Sequence, residues 1–254
     1  MRMRYKRYLL LLLLVLPSMV RLRAQDDTQL SQYWAMPSYY NAGAAGIYEK
    51  LNLRAATRQQ WVGMPGAPKS FLVLADMPLR FLKADHGIGL QLSNDSYGLF
   101  KTTSFGIQYA YKVKLWGGQL SLGLQLGLIS QIFDGTEVFI PESDYHQQTD
   151  DAIPTSEVQG TAFDVGFGVY YTHKYFYAGL SSTHLSQPAI SFDENYEGSI
   201  TRAYYFIAGG NIPLRNALYE VQPSMMVKTT FQMTQAELTL RLRYNRFILS
   251  LIHI

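Results

Sequence analysis

Ser181 and His184 come nearest to a catalytic pair in this sequence. A serine hydroxyl beside an imidazole base is the arrangement that nucleophilic catalysis uses, as in lipases. On a strand, however, positions three apart are predicted to face opposite sides of the sheet. The histidines also lack the HExxH spacing of a zinc protease; they stand at positions 86, 146, 173, 184 and 253. We therefore expect a protein that is not an enzyme and that needs no cofactor.

A second candidate site is the acidic stretch 133–160, which contains no Lys or Arg. Its carboxylates are oxygen ligands of the kind that calcium prefers, so a divalent cation could bind there, or bridge the loop to anionic lipopolysaccharide. Their spacing departs from the EF-hand pattern. The sequence therefore favours the plainer interpretation of a solvated acidic loop.

Two aromatic clusters are candidate partner-binding sites. The first lies in the polar, tyrosine-rich segment 25–46 and could fill the interior of a barrel or dock a periplasmic component; it comprises Tyr33, Trp34, Tyr39 and Tyr40. The second is a turn containing Trp61, Gly63, Gly66 and Pro68. A rigid tip of this kind loses little entropy when it binds a partner. The alternative is a structural turn whose tryptophan lies at a membrane interface.

The elements that position these residues are predicted to be strands with one apolar face. Leucines occupy every second position from Leu120 to Leu128, alternating with Gln119, Ser121, Gly123, Gln125 and Gly127. In 238–243, leucines alternate with Thr239, Arg241 and Arg243. Charges suit a hydrated lumen, with leucines facing outer-membrane lipid. A soluble sandwich also alternates, but aromatic residues near strand ends, such as 170–177, and glycines within strands favour a membrane barrel.

Connection lengths predict the orientation of this barrel. Ten strands are expected between residues 50 and 244, and the long connections 61–69, 133–160, 185–200 and 230–235 all fall at one end. Outer-membrane barrels have their long loops outside, so the N-terminus is expected in the periplasm. Another strand begins near Arg246, and bacterial barrels close with an even number. The predicted fold is all-β, an antiparallel up-and-down transmembrane barrel over 47–254 that is incomplete at its C-terminus.

Residues 1–24 have the pattern of a secretory signal peptide. Arg2, Arg4, Lys6 and Arg7 precede an apolar run that is shorter than the roughly 20 residues of a membrane-spanning helix. An uncleaved membrane anchor is the alternative. These residues hold six of the 22 Lys and Arg and none of the acids, so the rest of the chain has a net charge of −3. This charge gives no support to a nucleic-acid partner, and the absence of cysteine excludes disulfides and thiolate metal sites.

Several motifs resemble those of one family. The segment 29–33 (QLSQY), Pro37, Tyr40-Asn41 and 44–46 (AAG) resemble the start of mature PorP/SprF-type proteins of the Bacteroidetes type IX secretion system. The resemblance continues at 58–63 (RQQWVG), 66–68 (GAP), 76–79 (DMPL) and, less specifically, 223–228 (PSMMVK). The sequence departs from the family pattern at Leu30, where phenylalanine is common, and at Ala35-Met36.

The resemblance implies a non-enzymatic outer-membrane component of the type IX machinery. Family members are associated with secretion or surface attachment of adhesins and other cargo bearing a C-terminal sorting domain, and with gliding in motile species. The expected partners are other secretion components and such cargo. The alternative function is an outer-membrane porin or substrate-specific channel, for which the polar lumen would be the selectivity surface.

Overall fold

The computed structural model describes residues 28–138, 154–193, 196–215, 218–245 and 247–253. The predicted signal peptide and most of the acidic loop, residues 139–153, lie outside them. Within the described residues, no helix is both long and apolar enough to cross a membrane.

Fourteen strands account for most of the described chain. They are β1 (Asn52–Gln59), β2 (Lys69–Phe81), β3 (Ala84–Tyr97), β4 (Phe100–Leu115), β5 (Gly118–Asp134), β6 (Glu157–Thr172), β7 (Phe176–Thr183), β8 (Ala189–Asp193), β9 (Tyr196–Ser199), β10 (Ala203–Gly210), β11 (Ile212–Pro213), β12 (Tyr219–Thr229), β13 (Thr234–Tyr244) and β14 (Phe247–His253). Short helical turns precede β1 at Tyr33–Ala35, Pro37–Tyr40 (α1) and Ala42–Ala44, and another follows β5 at Gly135–Glu137.

The main sheet is an antiparallel meander in which neighbours in sequence pair in space. Its order is β1-β2-β3-β4-β5-β6-β7-β10-β12-β13-β14, with β11 added beside β12. All ten predicted strands are confirmed, and β14 is the strand that was expected to begin near residue 246. Among the described residues β1 and β14 are the two edges and do not pair with each other, so the sheet is not closed.

The two faces of the sheet have the chemistry that the alternation predicted. In β5, Leu122, Leu124, Leu126 and Leu128 are exposed, whereas Ser121 and Gln125 are buried. In β13 the leucines are again exposed, while Arg241 is buried. A soluble protein would have the reverse arrangement, because water favours polar groups outside. An apolar exterior around a polar interior is the pattern of a membrane barrel.

The sheet curls so that distant strands meet across its interior. Leu72 and Leu74 of β2 belong to one buried cluster with Tyr205 of β10 and Met226 of β12. Tyr33, from the chain before β1, lies in the same cluster. Much of the concave side of the curled sheet is therefore occupied by the protein's own side chains.

Two local features differ from the sequence predictions. The stretch 185–200 is not a plain connection, because β8 and β9 pair there as a hairpin. Ile190 and Phe192 of this hairpin pack against Ile129 and Phe133 on the inner face of β5, which folds the hairpin over the end with the long connections. The aromatic run 170–177 does not form a uniform outer girdle, because alternation turns part of it inward, including the buried Tyr170.

Candidate functional site

Residues 28–46, here called the inner segment, lie inside the curl of the sheet. Pro37 begins α1, where its fixed φ and missing N–H cost nothing. Asn41 then ends α1 and caps the next turn, since its side chain accepts a hydrogen bond from the backbone N–H of Gly43. These short turns fold the segment compactly enough to fit within the sheet.

Three of the four predicted aromatic residues of this segment have defined contacts with the inner wall. Tyr33 is fully buried and donates its hydroxyl proton to Ser224 Oγ at 3.0 Å. The Tyr40 ring lies 5.2 Å from that of Tyr205. Trp34 lies under the guanidinium of Arg241, with Cζ 4.0 Å from the ring centroid. Such a cation–π contact contributes roughly 0.5–2 kcal/mol.

Tyr39, the fourth, is half-buried beside Tyr40, with ring centroids 4.8 Å apart in an edge-on arrangement. The structure thus brings Tyr33, Trp34, Tyr39 and Tyr40 together inside the sheet. Of the two hypotheses for this cluster, its location favours filling of the interior over docking outside it.

Asn41 connects the inner segment to two adjacent strands. Its side chain is almost fully buried, and Nδ2 donates to the carbonyl oxygens of Val169 at 3.0 Å and Leu180 at 3.1 Å. Oδ1 accepts from the Gly43 N–H at 2.8 Å. A buried amide that satisfies three hydrogen bonds fixes position as well as contributing stability, because each bond has a required direction.

Small residues at one level of the wall make room for the inner segment. Gly87, Ala110, Gly123 and Gly168 are consecutive partners across β3 to β6, and we call them the small-residue track. A Cβ on Gly123 would lie 2.1 Å from the Gly43 nitrogen, and one on Gly168 would lie 2.0 Å from Asn41 Oδ1. Sequence reasoning used these glycines only to argue against a soluble core. The strand register of the structure is what shows that these residues lie at the same level of the wall.

Polar side chains of the wall hold the C-terminal half of the segment. Gln108 Nε2 donates to the Ser38 carbonyl at 2.7 Å and to Gln125 Oε1 at 2.8 Å. The N–H of Gly46 donates to Asp76 Oδ1 at 3.0 Å, and Lys112 Nζ donates to the carbonyl of Gly46. Side chains of the strands thus form hydrogen bonds with backbone groups of the inner segment that are buried away from water.

Tyr48 follows the inner segment and is half-buried under the Arg54 guanidinium, whose Cζ lies 4.9 Å from the ring centroid. Burial raises the pKa of this phenol, and the positive charge of Arg54 partly opposes the increase. The hydroxyl is therefore protonated at physiological pH.

The second predicted cluster lies at the tip of the β1–β2 hairpin, at the end with the long connections. Trp61 has 66% of its surface exposed and a positive φ of 46°. Gly63 and Gly66 also have positive φ, which costs glycine little. The N–H of Gly98 donates to the Gly66 carbonyl at 2.9 Å, which ties this tip to the β3–β4 turn, and Pro68 O accepts from the N–H of residue 60 at 3.0 Å. The tip is an ordered, exposed apolar projection.

The serine and histidine considered for catalysis have other partners. Ser181 Oγ donates to the Tyr40 carbonyl at 2.6 Å, and His184 Nδ1 lies 3.0 Å from Asp164 Oδ2. The predicted reason for excluding the pair was wrong, because His184 follows the end of β7 with a positive φ and turns inward like Ser181. Ser181 is thus engaged in holding the inner segment.

Metal binding has no support in the part of the chain that the structure describes. It contains no group of three or more His, Asp or Glu side chains placed to hold an ion. The proposed cation or lipopolysaccharide site at 133–160 falls largely on residues outside this part.

Together the fold and the site define a class: a membrane protein made of antiparallel strands, with an apolar exterior and an interior occupied by its own N-terminal segment. The family model described as type IX secretion system membrane protein PorP/SprF matches residues 22–252. The chain belongs to this family, as its motifs predicted. No curated protein and no solved structure matches it.

Proposed function

We propose that this protein is a non-enzymatic outer-membrane component of the type IX secretion system. In this role it assists the secretion or surface attachment of cargo with a C-terminal sorting domain, and gliding where the organism is motile. The end of the sheet with the long connections faces out of the cell. The observation that carries the proposal is the family match over 22–252.

The filled interior supports a docking role over the alternative of a porin. A porin needs a continuous water-filled path through its lumen. Here the inner segment contacts β2, β4, β6, β10 and β12, and Tyr33, Ala44 and Ala45 are almost completely buried within it. A barrel filled in this way presents surfaces to partners and does not offer an open path to ions.

The hairpin tip is the proposed partner surface. Trp61, Val62 and Met64 expose most of their apolar surface at one tip, which water disfavours and a protein partner would cover. The positive-φ residues and the hydrogen bond to the β3–β4 turn order the tip before binding, so little entropy is lost on association.

A pull-down from outer membranes tests this function. Full-length protein should recover cargo with a sorting domain and other secretion components, and Trp61→Ala should reduce the recovery. Trp116→Ala is the matched control, because Trp116 also has a positive φ and is 85% exposed, but lies in the β4–β5 turn at the opposite end. Recovery of neither class of partner, or an equal loss with both variants, would contradict the proposal.

Planar-bilayer conductance separates this function from the porin alternative. The intact protein should pass no steady current, and deletion of residues 28–45 should produce one if the sheet still folds. A steady current through the intact protein would favour the porin.

A further inference from the structure

A second feature of the interior is a cavity that the proposed function does not use. It has a volume of about 100 Å³ and is lined by the inner segment, strands β3 to β7, β10 and the residues at the end of β9. Thr28 and Tyr39 form its side toward the inner segment, and Ser199 lies on the side of the β8–β9 hairpin. A single water molecule needs about 10–15 Å³ of such space. The cavity therefore has room for a molecule of several heavy atoms.

The charge of the cavity is negative. Asp95 and Asp164 both line it beside one imidazole, that of His184, and its lining residues in the described part of the chain include no Lys or Arg. Tyr39 and Tyr205 add aromatic rings, whose faces also attract cations. An anionic ligand would be repelled here, whereas a cation would be favoured.

Asp164 supplies the observation that points to a ligand. Its surface is only 3% exposed, and Oδ2 faces His184, but Oδ1 is buried without a hydrogen-bond partner. The neighbouring hydroxyl of Thr183, which also lines the cavity, is buried without a partner as well. Buried polar atoms are costly when they are left unsatisfied, so these two atoms mark a place where a polar group belongs.

The type of cation follows from what these atoms can accept. A carboxylate oxygen can only accept from N–H or O–H donors, and a hydroxyl oxygen can also accept from them. A primary ammonium group offers three N–H donors around one positive charge. A quaternary ammonium has the charge but no donor. An inner-sphere metal site is not favoured, because the described residues contain no cluster of three metal-ligating side chains.

We infer that this cavity is a binding site for a primary ammonium group, with Asp164 Oδ1 and Thr183 Oγ1 as its hydrogen-bond acceptors. A small free amine fits the volume of the cavity. A lysine side chain of a partner has the same chemistry, and the two sources differ in size.

Calorimetric titration of the full-length protein in detergent tests this inference. The probes are ethanolamine, Nα-acetyl-lysine amide and tetramethylammonium. Ethanolamine should bind more tightly than tetramethylammonium, and Asp164→Asn should weaken its binding by about tenfold or more, since a charged hydrogen bond is lost. Thr183→Val should weaken binding without changing the Asp164–His184 pair.

Asp85→Asn is the matched control, because Asp85 is a carboxylate near the opposite end of the sheet that pairs with the exposed Arg80. It should leave the affinity unchanged. Tighter binding of the lysine derivative than of ethanolamine would support the same site and assign it to a protein side chain. Equal affinity for ethanolamine and tetramethylammonium, no binding of either amine, or unchanged ethanolamine binding in both Asp164→Asn and Thr183→Val would overturn the inference.

Discussion

Replacing Asn41 with alanine should release the inner segment more often while the sheet stays intact. The substitution removes the hydrogen bonds to the carbonyls of Val169 and Leu180 and the one from the Gly43 N–H. Only the two bonds to the strand carbonyls join the segment to the wall, and each contributes about 1 kcal/mol net, so release becomes easier by about 2 kcal/mol. Since 1.4 kcal/mol corresponds to a factor of ten, the released state should become about 30-fold more populated.

The absence of native cysteine makes this release measurable. Ser38→Cys places a single thiol on the inner segment at a position that is only 3% exposed. A reagent in solution reaches such a thiol only when the segment leaves the wall, so the labelling rate reports the open population when opening and closing are fast. The rate should rise about 30-fold when Asn41→Ala is added.

Asn94→Ala is the control for this experiment. Asn94 Nδ2 also donates a hydrogen bond, to Thr103 Oγ1 at 2.8 Å, but this bond is solvent-exposed and does not involve the inner segment. It should not change the labelling of position 38. A rise of less than about threefold for Asn41→Ala, equivalent to under about 0.7 kcal/mol, would refute the anchoring role.

Three further predictions concern the wall, the exterior and the orientation. Gly123→Ala should destabilise the protein by about 1–3 kcal/mol in thermal unfolding, because the new Cβ would lie 2.1 Å from the nearest atom of the inner segment. Gly166→Ala should have little effect, because the atom nearest to its new Cβ lies at an ordinary contact distance of 3.4 Å. Leu124→Arg should lower the stability of the protein in lipid by about 2–4 kcal/mol, because this side chain faces outward near the middle of β5. An equal loss for Leu82→Arg, in the exposed β2–β3 turn, would contradict this reason. A thiol at Val62 should react with a membrane-impermeant reagent on intact cells and one at Leu82 should not; the opposite result would reverse the proposed orientation.

Local pattern was sufficient to predict the strands and their faces. The alternation of leucine with serine, glycine and glutamine over 119–128 specifies both an extended backbone and which side meets lipid, because successive side chains on a strand point to opposite faces. The lengths of the connections likewise predict that the long ones all lie at the same end of the sheet. These properties depend on neighbours in sequence and can be derived without the fold.

The inward turn of His184 was not predictable in this way. Period-two reasoning holds only while the chain stays extended, and β7 ends at Thr183 before a residue with positive φ. The β8–β9 hairpin was missed for a related reason. Its strands are short, and Ile190 and Phe192 are stabilised by contact with β5, which is distant in sequence.

The sequence by itself determined the class of this protein: its alternating strands, its apolar exterior and the motifs that place it in the PorP/SprF family. It also marked the aromatic residues 33–40 as candidates for a lumen plug. Only the tertiary structure decided where they lie, because the small-residue track exists only once the register aligns Gly87, Ala110, Gly123 and Gly168 on neighbouring strands. The close approach of Asn41 and Gly43 to that track joins residues 80 or more positions apart in sequence, and no local pattern encodes such a contact.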